Sequence, residues 1–374
     1  MFKNIINYFF LKKADYARVE MILKSENFVY TVQDIKNLLK GNQKGIRYGN
    51  IVLERNENGQ KQKRFLKIML DGTLRTYKLF CRQVEVTDLL HKDKKITSST
   101  MAVIKFSLNP PVPYMILETR ENGENFGFMS DNLHFYEKFT ELEMKNLVET
   151  IYSFHSSGSH IDSSVWKYTQ NISSSLNHYK KEFKKLLSTN ILHRSFNGNL
   201  VKNTVKQLLI GYTGIRDIED CIINILEKNW KYVISSKIKD KYYLVHADMQ
   251  IDNVYRQKDS SFELLDFEWV GKSDNPVTAI MYDYGNLRAR ACFSPVFQSM
   301  LDKMMLEVGK KYYTNTNLIN AGLKLGILRS SLMMSRYHMD FKNTVKKDQR
   351  TEEDYENMYP KTLAVLKQVL ENKN

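Results

Sequence analysis

His246-Ala247-Asp248-Met249-Gln250-Ile251-Asp252-Asn253 sets a carboxylate five residues before a carboxamide, and Leu264-Leu265-Asp266-Phe267-Glu268 adds two more carboxylates soon after. Oxygen-rich side chains of this kind are what hard divalent cations such as Mg²⁺ prefer. The set suits phosphoryl transfer from a nucleotide: Asp248 as the base that accepts a hydroxyl proton, Asn253 and Asp266 as Mg²⁺ ligands. An aspartate titrates near pH ~4 and is a weak base at rest. It serves here because the hydroxyl acidifies late, as the bond to the leaving phosphate breaks, and positioning supplies most of the rate. Asp and Asn are also common in turns, where they bond local backbone. The spacing therefore gains its meaning from the elements around it.

Those elements are legible. The apolar run Tyr242 to Val245 leads into the loop as a strand. A second strand, Phe262 to Leu265, delivers Asp266, and Gln257-Lys258-Asp259-Ser260 makes the polar turn between two short strands. Upstream, helices are expected over Tyr16 to Leu23 and Thr31 to Leu39. Strands follow at Asn50 to Arg55 and Arg64 to Leu70, joined by the hairpin turn Asn56-Glu57-Asn58-Gly59. A helix over Thr76 to Leu90 precedes strands at Met101 to Ser107 and Tyr114 to Glu118, with a turn marked by Asn109-Pro110-Pro111-Val112-Pro113. Beyond Glu118 the pattern turns helical: Thr140 to His155, Leu176 to Leu187, Asn203 to Leu209, Ile215 to Tyr232, Asn317 to Tyr337 and Tyr355 to Glu371. The expected fold class is α+β, with a small mixed N-terminal lobe over residues 1–117 and a larger, mostly helical lobe over 118–374.

Lys67 lies inside the apolar strand Phe65-Leu66-Lys67-Ile68-Met69-Leu70. Burying an unpaired charge is costly, so the lysine either snorkels from an edge strand or meets phosphates. Glu85, in the next helix, is the natural residue to orient it, with Glu118 and Asp88 as competitors. Gly41, Gly45 and Gly49 precede the first of these strands. Lys40 to Tyr48 could bring backbone amides to phosphate oxygens, and an ordinary loop explains the glycines equally well. Glu268 would project the same way as Asp266 if the strand continues, as a further metal or substrate contact or as a structural group. His246 and His155 read as histidines that bond backbone. Asp283 reads as a helix cap or as a brace that accepts N–H bonds from the loop.

Composition narrows the classes. The chain has 374 residues, enough for about two lobes, and its 42% hydrophobic content is that of a globular protein. Three distant cysteines, Cys81, Cys221 and Cys292, make no zinc or disulfide pattern. The net charge of +14 permits nucleic acid as a partner. Its lysines are nevertheless dispersed and accompany no nucleic-acid motif, so solvated Lys-rich faces are the expectation. Ile5 to Leu11 is apolar but too short to span a bilayer. It is read as an amphipathic first helix, and the protein is expected to be cytoplasmic.

Taken together these residues resemble the aminoglycoside phosphotransferase and choline kinase group, the small-molecule branch of the protein-kinase-like fold. That group shows an H-G-D-x-x-x-x-N loop, matched by His246 to Asn253 with Ala247 in place of Gly, then a D-x-E or D-x-D, matched by Asp266 to Glu268. A helix-initiating Asp is matched by Asp283 and a residue pair closing a helix by Phe154-His155. A strand lysine and helix glutamate are matched by Lys67 and Glu85. The resemblance covers roughly residues 36 to 290 and is loose before Lys67. It implies a bilobal fold, ATP and Mg²⁺, a small-molecule hydroxyl acceptor, and a linker near Met115 to Gly123 whose backbone at Thr119 to Glu121 holds adenine. The segment Tyr282-Asp283-Tyr284-Gly285-Asn286 is also similar to choline and ethanolamine kinases. The departures are Ala247, which costs little unless the backbone there needs a positive φ, and the lack of a compact glycine-rich loop.

Overall fold

The structure, a computed structural model, describes residues 11–43, 47–92, 102–119, 123–125, 139–159, 167–173, 175–194, 200–237, 241–291, 294–345 and 352–371. The expected helix over Ile5 to Leu11 falls almost wholly outside them, as do Gly45, Glu121 and Cys292. The chain forms two compact units. One comprises Met1–Gly123 with Ser164–Thr169 and Leu265–Val270, and the other holds the remainder. The fold is mixed α+β.

The first unit is built on an antiparallel sheet. Helices α1 (Tyr16–Ser25) and α2 (Val32–Gln43) flank β1 (Phe28–Val29). Then come β2 (Tyr48–Glu57), β3 (Gln60–Met69), α3 (Leu74–Lys92), β4 (Val103–Ser107) and β5 (Tyr114–Glu118). The strand order is β1-β2-β3-β5-β4, which makes β3 the central strand. The β2–β3 hairpin pairs Glu57 with Gln60, leaving a two-residue turn of Asn58 and Gly59. Both have positive φ, 49° and 84°, the conformation that Asn-Gly adopts at little cost and that matches strand twist.

Strand alternation then sorts β3 between two cores. Leu66 and Ile68 pack with Val19, Ile22, Leu23, Ile35 and Leu38 under α1 and α2. Phe65 packs with Phe80 and Val84, and Met69 with Tyr77 and Cys81, on the α3 side. Lys67, flanked by Leu66 and Ile68, is thereby committed to the α3 side of a central strand and is only 6% exposed. It is not an edge-strand lysine. Burial on that side also pushes the Cys81 thiol up to about 12, which keeps it protonated.

The glycines before β2 do not form a described loop. Gly41 lies in α2 and Gly49 in β2. A Cβ on Gly49 would stand 3.0 Å from the Leu38 carbonyl, so this glycine lets α2 lie close on the strand.

The second unit is mainly helical. After β6 (Gly123–Asn125) come α4 (Glu141–Ser157), β7 (Gln170–Asn171), α5 (Leu176–Leu187), the hairpin β8 (Asn190–Arg194) and β9 (Leu200–Thr204), α6 (Val205–Thr213) and α7 (Ile218–Ser235). The loop-bearing region follows: β10 (Tyr243–Val245), β11 (Val254–Gln257), β12 (Phe262–Leu264) and β13 (Gly271–Ser273). Helices α8 (Pro276–Arg290), α9 (Pro295–Tyr312), α10 (Thr316–Val345) and α11 (Glu352–Glu371) close the chain.

Helix α4 begins at a capping box. Thr140 Oγ1 accepts from the Glu143 amide while Glu143 accepts from the Thr140 amide. Its Met144, Leu147, Val148, Ile151 and Phe154 are buried. Helix α8 begins at Pro276 with Asn275 as its cap, so Asp283 stands mid-helix and does not initiate it.

Helices α8 and α10 touch along glycines. Cβ atoms on Gly322 and Gly326 would meet Ile280 at 2.7 Å and Tyr284 at 2.4 Å, and one on Gly285 would meet the Gly326 carbonyl at 3.1 Å. Among the described residues no helix is long and apolar enough to cross a membrane.

Candidate active site

In the second unit, β10 ends at Val245 and the chain turns through His246, Ala247 and Asp248 into a single 3₁₀ turn, Ile251–Asn253. Asp283 holds this turn. Its carboxylate is fully buried and accepts the amides of His246 and Ala247, each at 2.8 Å. It also lies 2.9 Å from His155 Nε2. Three hydrogen bonds are what a buried carboxylate needs to offset lost hydration. Asp283 is therefore a brace, and His155 belongs to that brace. His246 contributes its amide, and its buried ring stands 6.0 Å from that of Phe154.

One α-helical turn on, Asn286 Nδ2 donates to the Ala247 carbonyl at 2.8 Å. Two side chains three residues apart on α8 thus fix both the amide and the carbonyl of Ala247. That residue has φ +61°, in the left-handed region where a Cβ costs energy. The Gly-to-Ala departure from the resembled pattern thus falls at a position that does need positive φ.

Asp248 is half-buried. Asn253 Nδ2 donates to the Asp248 carbonyl at 2.8 Å and approaches its Oδ2 at 3.4 Å, as does Gln250 Nε2. Asn253 consequently spends its amide nitrogen on the loop and keeps Oδ1 as the atom to offer a cation. The spacing of Asp248 and Asn253 is the geometry of one closed turn.

In the first unit, the segment Leu265–Val270 meets Lys67. Lys67 Nζ donates to Gln83 Oε1 at 2.6 Å and to Asp266 Oδ1 at 3.0 Å, and it sits 4.4 Å from the centre of the Tyr48 ring. The pairing with Asp266 was not legible, and the expected partner Glu85 is elsewhere. The Glu85 carboxylate accepts the amides of Lys167, Tyr168 and Thr169 at 2.5–3.1 Å and the Thr169 hydroxyl at 2.9 Å. Arg82, one turn earlier, donates to the Tyr168 carbonyl at 3.2 Å and to the Glu268 carbonyl at 3.0 Å. One face of α3 therefore clamps residues 167–169 and 267–269, while Gln83 serves Lys67.

The strand before Asp266 does not continue. It ends at Leu264, Asp266 takes a left-handed conformation (φ 59°, ψ 63°), and Phe267–Trp269 form a 3₁₀ turn. Glu268 is accordingly turned to Tyr48 and Arg47, at 2.9 and 3.3 Å. Burial, followed by the charge of Asp266, raises the Glu268 carboxyl above the usual carboxylate range. Burial and the neighbouring Glu268 likewise push the Tyr48 phenol up.

Thr119 Oγ1 donates to the Lys63 carbonyl at 2.9 Å, extending the β3–β5 pairing. Sequence reasoning missed Tyr48, Arg82, Gln83 and Asn286 as positioning groups. For Asn286 a signal existed, because its spacing from Asp283 puts both on one helix face.

The oxygen donors Asn253 and Asp266 fit a hard cation in type. Among the described residues no cluster of three His, Cys, Asp or Glu side chains could hold a metal by itself.

No family model matches the chain, and no curated protein matches it. Among solved structures it is similar to a mutant aminoglycoside 2′-phosphotransferase with GDP (9% identity, TM-score 0.43, covering 87% of this chain and 88% of that one). It is similar to a Plasmodium vivax ethanolamine kinase (13% identity, TM-score 0.43, 97% and 96% covered). The choline kinase LicA from Streptococcus pneumoniae is a third (12% identity, TM-score 0.39, 86% and 89% covered). All three are kinases or phosphotransferases.

Proposed function

We propose that this protein is an ATP-dependent phosphotransferase that moves the γ-phosphate to a hydroxyl of a small molecule. The observation that carries this reading is the double brace on one loop. Asp283 and Asn286 fix Ala247 on one side of Asp248, and Asn253 holds the Asp248 carbonyl on the other. Such fixation suits a base whose task is to be in place when the acceptor hydroxyl sheds its proton.

In this reading Asp248 accepts that proton. Asn253 Oδ1 and the Asp266 carboxylate hold Mg²⁺, which when bound would neutralise charge on the phosphates. Lys67, kept in place by Gln83 and Asp266, supplies positive charge to the phosphates as well. Glu85 is assigned to shaping residues 167–169 and not to the nucleotide. Backbone near Thr119 and Glu121 is proposed to meet the adenine. The cytoplasm, where ATP is abundant, is the implied compartment.

The test is Mg²⁺-dependent ATP consumption with a panel of hydroxyl compounds: aminoglycosides, choline, ethanolamine, sugars, nucleosides and hydroxy acids. Consumption that requires one of them supports the reading. ATP bound but never consumed with any acceptor favours a nucleotide-binding regulatory module, for which the neutral Gln83 beside Lys67 is the one specific observation.

A further inference from the structure

Arg329 reaches the loop of Asp248 through two hydrogen bonds. Its Nη1 donates to Asn286 Oδ1, and Asn286 Nδ2 donates to the Ala247 carbonyl at 2.8 Å. The glycine contacts between α8 and α10 bring the arginine this close. Its guanidinium also lies over the Tyr282 ring, 4.3 Å from the centre, well inside cation–π range.

Three observations bear on what this arginine is for. First, its charge lacks a carboxylate partner: among the described residues none lies at ion-pair distance. Glu182 acts electrostatically on Tyr282, as Arg329 does, but it is not at ion-pair distance from the guanidinium. Second, its Nε is buried without a hydrogen-bond partner, and Nη1 spends its bonds on Asn286 and the Met333 sulfur. The guanidinium thus carries a buried, uncompensated donor, which is costly, and an oxyanion at its accessible side would add charge-assisted hydrogen bonds. Third, the aromatic face of Tyr282 that could receive an ammonium group is already covered by a cation. The chain as a whole is basic, at +14, and favours anionic ligands at long range.

We infer that Arg329 determines acceptor specificity, and that the acceptor carries an oxyanion, a carboxylate or phosphate group, beside the hydroxyl that receives the phosphoryl group. A guanidinium is always charged and presents a planar fork suited to such groups. The inference rests on the phosphotransferase reading for the word acceptor; the anion site itself does not depend on it.

The experiment is calorimetric titration of the full chain, first with Mg·ADP, then with sulfate, acetate or tetramethylammonium at saturating Mg·ADP. Absence of ADP binding defeats the kinase reading, and the anions are then titrated against the protein alone. Wild type should bind sulfate or acetate at one site, and the tighter of the two tells tetrahedral from planar oxyanions. Arg329→Gln should bind that anion about tenfold more weakly or worse. Arg329→Lys keeps the charge, serves if the Gln variant unfolds, and should lose about threefold by losing the fork. Equal affinity in wild type and variants, heat only from tetramethylammonium, or no heat from either anion overturns the inference.

Discussion

Asp283 accepts the amide of Ala247 at 2.8 Å while Ala247 stands at φ +61°. The brace thus holds an alanine in a conformation that favours glycine. The left-handed region costs an L-residue about 1–2 kcal/mol, against a smaller gain from the alanine's restricted unfolded state. Ala247→Gly should therefore stabilise the protein by about 1 kcal/mol, and Ala247→Val, with a branched Cβ, should destabilise it. Thermal melts of the three proteins check the order, and a Val variant as stable as the Gly variant would show that the strain is not real.

Asp283→Ala would strip partners from two backbone amides and from His155 in a fully buried place. Each unsatisfied buried group costs about 1–3 kcal/mol. The variant should lose several kcal/mol in urea unfolding and lose turnover with it. Asp283→Asn keeps one acceptor oxygen and should lie between the two.

Lys67 and Glu85 should separate cleanly. Lys67→Ala removes the charge that faces Asp266 and Gln83 and should raise the KM for ATP about tenfold or more. Glu85→Gln weakens the clamp on residues 167–169 and should lower stability by about 1–3 kcal/mol with KM for ATP nearly unchanged. A Glu85 variant with intact stability and a raised KM would restore that residue to the nucleotide.

This pair also shows what the sequence could and could not tell. Lys67 was legible because a lysine in an apolar strand demands a reason, and the 254–264 hairpin because polar turn residues separate two short apolar runs. The choice between Gln83 and Glu85 was not. Two residues apart on a helix they point about 200° from each other, and only packing reveals which of them meets β3. Helix α8 was expected to begin at Asp283 but begins at Pro276; nearly all its residues are buried, which erases the amphipathic periodicity that would have marked its first turns. Asp266 leaves its strand at one left-handed residue, a local choice that no period announces, and that single residue turns Glu268 toward Tyr48.

Glu57 offers a test by pH. The Arg64 fork, at 2.6 and 2.9 Å, and Arg55, at 2.9 Å, hold its carboxyl below the ordinary value of 4.5. A depressed carboxylate contributes stability above its unfolded pKa and loses it as the pH falls through the folded one. Glu57→Gln should therefore cost about 1 kcal/mol at pH 7, and the difference from wild type should vanish in acid below both values. A difference that persists there would assign the loss to packing.

The most direct measurement compares Asp248→Ala with wild type in two assays: Mg·ATP affinity by calorimetry, and ATP consumption with the hydroxyl acceptor that the panel identifies. Removal of a positioned general base costs about 10²–10⁴-fold. The predicted result is a turnover loss of that size with the affinity for Mg·ATP retained. An Asp248→Ala protein that transfers phosphate at the wild-type rate would contradict the assignment of the base.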